Sequence, residues 1–279
     1  MSEGHIIETS TIPRTRQSLA LDLSALGVAP GMTVLVHSSL SGLGWVCGAS
    51  VTVVQALMDV LTSDGTLVMP TQSGEYSDPS RWSNPPAPES WWTTIRESMP
   101  AYVPELTPSR GMGRIAETFR TWPGVMRSAH PTVSFAAWGR HSFDIILNHS
   151  LDFGLGEGSP LARIYDLDGS VLLLGVGYDS NTSFHLAECR QPQPSQILEG
   201  APILENGRRT WKTYREIDYD DSTFQHIGAA FEEASSVYVG RVGSATARLF
   251  RQCAAVDFAV TWLSSHALKQ SAGADHLCT

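Results

Sequence analysis

No stretch of this 279-residue chain is apolar for long enough to cross a bilayer. The longest runs, such as Val171 to Val176, fall far short of the ~20 residues a spanning helix needs. The N-terminus, MSEGHIIETSTIPRTRQ, has no basic segment leading into an apolar one, so no secretory signal is read. A soluble, cytoplasmic protein without a membrane partner is expected. Cysteine is sparse: Cys47, Cys189, Cys253 and Cys278 are far apart and form no C-x-x-C, which favours a reducing compartment over a disulfide framework. Positive charge is also short. The 19 Lys and Arg against 28 Asp and Glu leave a net charge of −9. That argues against nucleic acid, whose phosphates need clustered basic residues. It suits the steering of a cation into an acidic cleft, although acidity for solubility alone is common. No G-x-S-x-G is present, which argues against a typical α/β-hydrolase, and no Gly-Lys-Ser/Thr follows the small-residue turns.

What is present is an ordinary globular composition, 42% hydrophobic and 17% charged, long enough for a sizeable core. Thr15 to Leu26 has helical apolar spacing and Gly27 as a stop. Thr33 to His37 and Thr66 to Pro70 read as buried strands. Between them lies a helix with Val51, Val54, Leu57, Met58 and Leu61 on one face, for which Ser50 is a candidate cap. This βαβ order predicts a single α/β domain over 1–279, with a central, mainly parallel mixed sheet flanked by helices. A Pro- and Trp-rich insertion, about 72–104, holds four prolines in ten residues and reads as an ordered loop followed by a short helix near Trp91 to Met99. Val171 to Val176 is the clearest strand, apolar on both faces. A turn at Gly177 to Thr182 and a helix from Ser183 to Arg190 follow. Ala201 to Leu204 and Thr210 to Ile217 form a hairpin around Asn206-Gly207. Helices near Ser222 to Ser235 and Ala254 to His266 complete the chain, and the tail, about 268–279, is expected to fray.

Three segments carry candidate chemistry. Asn181-Thr-Ser-Phe-His-Leu-Ala-Glu188 follows a buried strand, at the edge where open α/β sheets bind ligands. Its His185 and Glu188 are three apart on a helix and share a face. A histidine oriented by a carboxylate is a good general base near neutral pH, although a capped surface helix with one His–Glu pair is the plainer alternative. Metal ligation by His185 and Cys189 lacks a second cluster, so no metal is expected. His37-Ser38-Ser39-Leu40-Ser41-Gly42-Leu43-Gly44 also follows a buried strand and offers hydroxyls and backbone N–H groups to a phosphate or carbonyl, or is an ordinary Ser/Gly turn. Thr107-Pro-Ser-Arg-Gly-Met-Gly113 is a third small-residue turn, with Arg110 and Arg114 nearby.

Taken in order, VHSSLSGLGWV, GTLVMPT, TPSRGMG with AETFR, RSAHP, GLGEGSPLARI, VLLLGVGYDSNTSFHLAE and VGSATARLF closely resemble the aminoglycoside 3-N-acetyltransferase family. The resemblance runs from about residue 33 to 262. It implies a fold unlike the common GNAT acetyltransferases, acetyl-CoA as co-substrate, and acetylation of the 3-amino group of aminoglycoside antibiotics, an antibiotic-resistance activity. The catalytic residues implied are His185, Glu188 and Thr71. His37, Ser38, Ser39, Ser41, Leu43, Gly44 and Val46 would line the CoA path, with Thr71 and Ser73 near the thioester. Ser109, Met112, Gly113 and Arg120 would continue that channel. Tyr76, Glu105, Asp152, Glu157, Asp179, Asn181 and Glu188 are the expected contacts of a polycationic acceptor, and Trp82 is a candidate cover for its sugar rings. The alternative is a CoA-binding homologue that acts on another amine or has lost catalysis. The sequence leaves open whether the protein is a monomer or a homodimer, and which carboxylate pairs with His185.

Overall fold

The computed structural model describes the backbone of residues 3–275 and side chains through 266. Helix α1 (Glu3–Thr9) precedes α2 (Arg16–Leu26). A reciprocal pair of bonds caps α2: the Ser18 N–H donates to the Thr15 hydroxyl and the Thr15 N–H to the Ser18 hydroxyl. Gly27 ends the helix at φ 110°, a left-handed conformation open to glycine. Strand β1 (Thr33–Ser38) leads to α3 (Ala49–Leu61) and β2 (Thr66–Pro70). Ser50 is not the cap of α3. Gly48, at φ 82°, precedes the helix, and Ser50 lies in its first turn, 2.7 Å from the Thr118 hydroxyl.

Then come α4 (Trp92–Ser98), α5 (Gly113–Arg120), β3 (Met126–Arg127), β4 (Phe135–Gly139), α6 (Ser142–Ile146), α7 (Pro160–Asp166), β5 (Ser170–Leu174) and α8 (Ser183–Cys189). The hairpin β6 (Gln196–Glu205) and β7 (Arg208–Ile217) is longer than the sequence pattern suggests. Helix α9 (Phe224–Ala234), β8 (Tyr238–Val242), β9 (Ala245–Arg251) and α10 (Gln252–Asp275) close the chain. Of the tail expected to fray, the side chains and residues 276–279 lie outside the described residues.

The seven-stranded sheet has the order β3-β4-β2-β1-β5-β9-β8, and β6-β7 forms a separate ribbon. The sheet is mixed. β2, β1 and β5 are parallel at its centre, and antiparallel pairs flank them on both sides. Alternate residues of the central strands feed two cores. Val34, Val36, Leu67, Met69, Leu172 and Leu174 pack with α2, α3 and α5 on one face. Leu35, Val68, Val171 and Leu173 pack with α7–α10 on the other. Each fully buried Leu or Val contributes roughly 1.5–3 kcal/mol, so this double layer fixes the sheet. The chain passes from β1 to β2 on one side and returns to β5 on the other, so the carboxyl ends at β1 are a topological switch point.

The Pro/Trp-rich segment contains single turns at Gly74–Tyr76, Pro79–Arg81 and Glu89–Trp91 before α4. Arg96 grips Asp78 through two bonds of 2.9 and 2.6 Å. Arg81 reaches Asp218 at 2.9 Å and Glu199 at 3.2 Å, and the Tyr102 N–H donates to the Pro202 carbonyl. The segment is thereby seated against the β6–β7 ribbon.

Packing tolerance is smallest at Gly228 in α9, where an added Cβ would fall 1.9 Å from Cγ of Tyr178. Tyr178 is itself fixed by Phe184 and Phe250. Alanine ordinarily gains about 0.5–1 kcal/mol over glycine in a helix. Here overpacking dominates, and Gly228→Ala is expected to destabilise by about 1–3 kcal/mol, read from the urea midpoint.

Candidate active site

A cleft of about 680 Å³ opens at the carboxyl ends of the parallel strands. Val36 to Ser38 of β1, Pro70 of β2 and Val176 beyond β5 form its floor. One wall is built from Ser39, Ser41, Gly44 and Val46, and from Gly111 to Arg114 at the start of α5. The opposite wall carries Asp179, Ser180, Thr182, His185, Asp221 and Phe224. Glu3 and Ile6 of α1 also border it. Small side chains on one wall leave room for a long, thin ligand. A Cβ at Gly44 would fall 2.6 Å from the Ser244 hydroxyl, so this position needs its glycine.

Helix α8 starts just past β5 and brings His185 and Glu188 together, three residues apart. His185 Nδ1 lies 2.6 Å from Glu188 Oε2, and both side chains are largely buried. A carboxylate can only accept, so Nδ1 holds the ring proton and Nε2 keeps its lone pair. The other Glu188 oxygen accepts the Asp220 N–H at 2.9 Å. The rings of Tyr219 and Phe224 flank the imidazole at 4.7 and 4.8 Å. The loop after β7 therefore holds both members of the pair. Behind it, Glu216 is buried and accepts from the Tyr219 hydroxyl and from the Gly154 and Ile217 N–H groups. Burial holds its carboxyl above the usual range. Cys189 faces the Tyr219 hydroxyl, and burial pushes its thiol up to about 12, which removes it as a nucleophile at neutral pH.

The RSAHP and GLGEGSP motifs serve as supports for these loops. His130 Nδ1 accepts the Thr132 and Val133 N–H groups, and its Nε2 donates to the Leu151 carbonyl. His149 Nε2 donates to the Gly154 carbonyl and its Nδ1 accepts from the Ser128 hydroxyl. Burial lowers His130 to about 4; burial, then His130 itself, lowers His149 well below the usual value. Both rings are neutral when folded and take up protons near pH 6.5 when unfolded. With His37, which burial lowers to about 3, these rings outweigh the buried Glu199 and Glu216 carboxyls, which burial raises and which act in the opposite sense. The unfolded chain thus holds more protons between about pH 6.5 and 4, and stability present above 6.5 is lost as pH falls through that window. The melting temperature is expected to drop already between about pH 6.5 and 5, above the carboxylate range, and a flat profile there contradicts this.

Of the residues expected from sequence, His37, Ser38, Ser39, Ser41, Gly44, Val46, Met112, Gly113, Asp179 and His185 line the cleft, and Glu188 orients His185. Leu43 does not; it is fully buried in the core. Thr71 and Ser73 are also fully buried, because strand alternation turns Pro70 and Gln72 toward the cleft and these two away. Both hydroxyls accept from Arg127 instead. Ser109 and Arg120 are occupied by Glu117. Tyr76 packs edge-on against Tyr102, and Trp82 donates to the Ser77 hydroxyl. Asp152 is paired with Arg215 and Glu157 with Arg190, at 2.9 and 2.7 Å. Glu105 does not border the cleft; its carbonyl accepts from Arg120. Asn181 is enclosed beneath the wall, with its Nδ2 unpartnered. Trp45, within VHSSLSGLGWV, also borders the cleft, and Gln72, Asp221 and Phe224 are cleft residues that the motifs did not single out. Among the described residues no group of three or more His, Cys, Asp or Glu is placed to hold a metal, and no helix is long and apolar enough to cross a membrane.

Residues 35–264 match the sequence model of the family described as Aminoglycoside 3-N-acetyltransferase. The SPbeta prophage-derived aminoglycoside N(3')-acetyltransferase-like protein YokD of Bacillus subtilis is 56% identical over 92% of this chain and 95% of its own. Aminoglycoside N(3)-acetyltransferase IX of Micromonospora chalcea is 33% identical over 95% of this chain and 99% of its own. The crystal structure of YokD superposes with a TM-score of 0.92 at 55% identity, over 93% of this chain and 97% of that one. AAC-IIIb, solved as a binary complex with CoASH, gives 0.82 at 30% identity, over 91% and 98%. AAC-VIa bound to sisomicin gives 0.83 at 28% identity, over 91% and 99%. A histidine–carboxylate pair on one wall of a switch-point cleft, and a family match over most of the chain, place this protein among the acyltransferases: it belongs to the aminoglycoside 3-N-acetyltransferase family.

Proposed function

We propose that the protein transfers the acetyl group of acetyl-CoA directly to an amine of a polycationic acceptor, the 3-amino group of an aminoglycoside, with His185 as general base. The observation that carries this reading is the 2.6 Å His185–Glu188 pair, which faces a wall of serines and glycines across one cleft. The CoASH-bound and sisomicin-bound relatives support the two ligand classes.

The residues fit the donor. Ser38, Ser39, Ser41, Gly111 and Gly113 offer hydroxyls and exposed backbone to the amides of the pantetheine arm, and Arg114 offers charge to phosphate. The acceptor enters near Asp179 and Asp221, which form no ion pair among the described residues. An amine attacks only when neutral, so His185 Nε2 takes its proton as the nitrogen adds to the thioester carbonyl. Glu188 stabilises the imidazolium that forms, and the Asp220 N–H fixes Glu188. The C–S bond then breaks, and the departing thiolate receives the proton from His185. Holding both substrates in one cleft makes the step effectively intramolecular. No acyl-enzyme is needed, in keeping with the inert Cys189 thiol.

The test is incubation with acetyl-CoA and sisomicin, gentamicin or other aminoglycosides, following thiol release and locating the new amide by NMR. Release coupled to acetylation of the 3-amino group supports the reading; no aminoglycoside-dependent release refutes the acceptor. Asp179→Asn and Asp221→Asn are each expected to raise the acceptor KM about fivefold, equivalent to about 1 kcal/mol for a partly exposed charge pair, with kcat little changed. The effect should shrink at high salt.

A further inference from the structure

Among the described residues, His37 is the one histidine in the cleft that the mechanism above leaves without a task. It is the penultimate residue of β1 and lies in register with Leu173 of β5. Paired residues on neighbouring strands share a face, so His37 sits on the side of Leu35 and Leu173, where α8 packs. It borders the cleft, yet is only 6% exposed, and its Nε2 is enclosed with no hydrogen-bond partner. An imidazole nitrogen buried without a partner is destabilising, because it loses its hydrogen bonds to water and gains none. Such an atom in the wall of a ligand cleft calls for a ligand atom to complete it. Burial, then the nearby charge of His185, lowers His37 to about 3, so the ring stays neutral and is too weak a base to hold a proton at pH 7. A neutral imidazole offers one N–H donor and one acceptor nitrogen, and a ligand carbonyl oxygen at Nε2 selects the tautomer with the proton there.

The thioester oxygen needs such a donor. Charge grows on it as the amine adds, and donors aimed there act more strongly on the transition state than on the ground state. The hydroxyls of Thr71 and Ser73 point away from the cleft. We propose that His37 is a catalytic residue whose Nε2–H donates to the carbonyl oxygen of the bound acetyl thioester and stabilises the oxyanion. The assignment rests on acetyl-CoA occupying this cleft. The N–C bond forms, the C–S bond breaks, His185 moves the proton from nitrogen to sulfur, and His37 keeps its own proton throughout.

The experiment compares wild type, His37→Leu, His37→Gln and His185→Ala. The carboxamide of Gln places a donor near the position of Nε2; Leu removes it. With ¹³C-carbonyl acetyl-CoA, difference infrared spectroscopy should show the bound C=O stretch below its value in water. The shift should vanish in His37→Leu, largely persist in His37→Gln, and remain in His185→Ala. In turnover, His37→Leu should lose about 10²-fold in kcat, the usual cost of one oxyanion donor, with the acetyl-CoA KM within about threefold. A carbonyl shift unchanged in His37→Leu, or a kcat within threefold of wild type, overturns the proposal. Should the Leu variant fail to fold, a Gln variant without the shift overturns it equally. Failure of wild type to bind acetyl-CoA, read by calorimetry, overturns the donor assignment itself. Loss of the shift in His37→Leu together with full activity in His185→Ala supports His37 and refutes only the base.

Discussion

Replacing His185 with alanine is expected to lower kcat by about 10²- to 10⁴-fold, the usual contribution of a positioned general base, and to leave acetyl-CoA binding nearly intact. The two effects separate because the serines, glycines and Arg114 that fit the donor come from other elements, whereas His185 sits on α8. Glu188→Gln should cost less. The single amide oxygen can still accept from Nδ1–H, which keeps the ring oriented, but the NH2 then faces the Asp220 N–H in place of an acceptor, and the charge that balances the imidazolium is gone. An alanine variant that acetylates at the wild-type rate would show that the amine loses its proton elsewhere. A variant that no longer binds acetyl-CoA would show that His185 acts through the shape of the cleft.

The largest loss of stability is expected at Arg127. This guanidinium is buried and has no carboxylate partner among the described residues; carbonyl and hydroxyl oxygens surround it instead. Nε donates to the hydroxyls of Thr71 and Ser134, Nη1 to the carbonyls of Pro104 and Thr107, and Nη2 to the Thr71 carbonyl and the Ser73 hydroxyl. The Tyr102 ring lies 5.1 Å from the guanidinium carbon. One side chain thus ties the end of β2 to the last turn of the Pro/Trp-rich insertion. Removing it leaves several buried acceptors unsatisfied at about 1–3 kcal/mol each, and breaking a buried charged cluster typically costs about 3–5 kcal/mol. Arg127→Ala should therefore unfold several degrees earlier, or purify as aggregate. Arg127→Lys should recover little of this, since one ammonium cannot fill six bonds in a plane. A melting temperature within about 2 °C of wild type for either variant would contradict the account, because that shift corresponds to less than about 1 kcal/mol for a chain of this size.

Much of the fold was legible because its central strands are covered on both faces. TVLVH, TLVMP and VLLLGV read as strands from uninterrupted apolar residues alone. Thr15, Gly27 and Asn206-Gly207 mark a helix start, a helix stop and a hairpin turn by their local chemistry. β8 and β9 did not announce themselves. Tyr238 and Val239 are exposed, and Arg248 and Thr246 interrupt the second strand, so the apolar signal is halved and mixed with polar residues. The site shows the same division. His185 and Glu188 were legible because they are neighbours on one short helix. Of the acidic contacts expected for the acceptor, Asp179 lines the cleft, whereas Asp152 and Glu157 do not border it and are neutralised by Arg215 and Arg190, and Arg215 lies 63 positions from its partner. Thr71 was assigned to the chemistry on a motif, but a one-residue alternation decides which of Thr71 and Gln72 faces the cleft, and no local pattern reveals that parity beyond the end of a strand. Asp221 and Phe224 were missed because a loop after a hairpin folds back onto α8, a purely tertiary fact.

A crystal structure with CoA and sisomicin bound together tests the central claim most directly. The account predicts that the pantetheine arm runs between Ser38–Val46 and Gly111–Gly113. Its sulfur should then end beside His185, with an acceptor amine within about 3.5 Å of the position of the thioester carbon. CoA bound outside this cleft, or an acceptor amine held away from His185 Nε2, would contradict it.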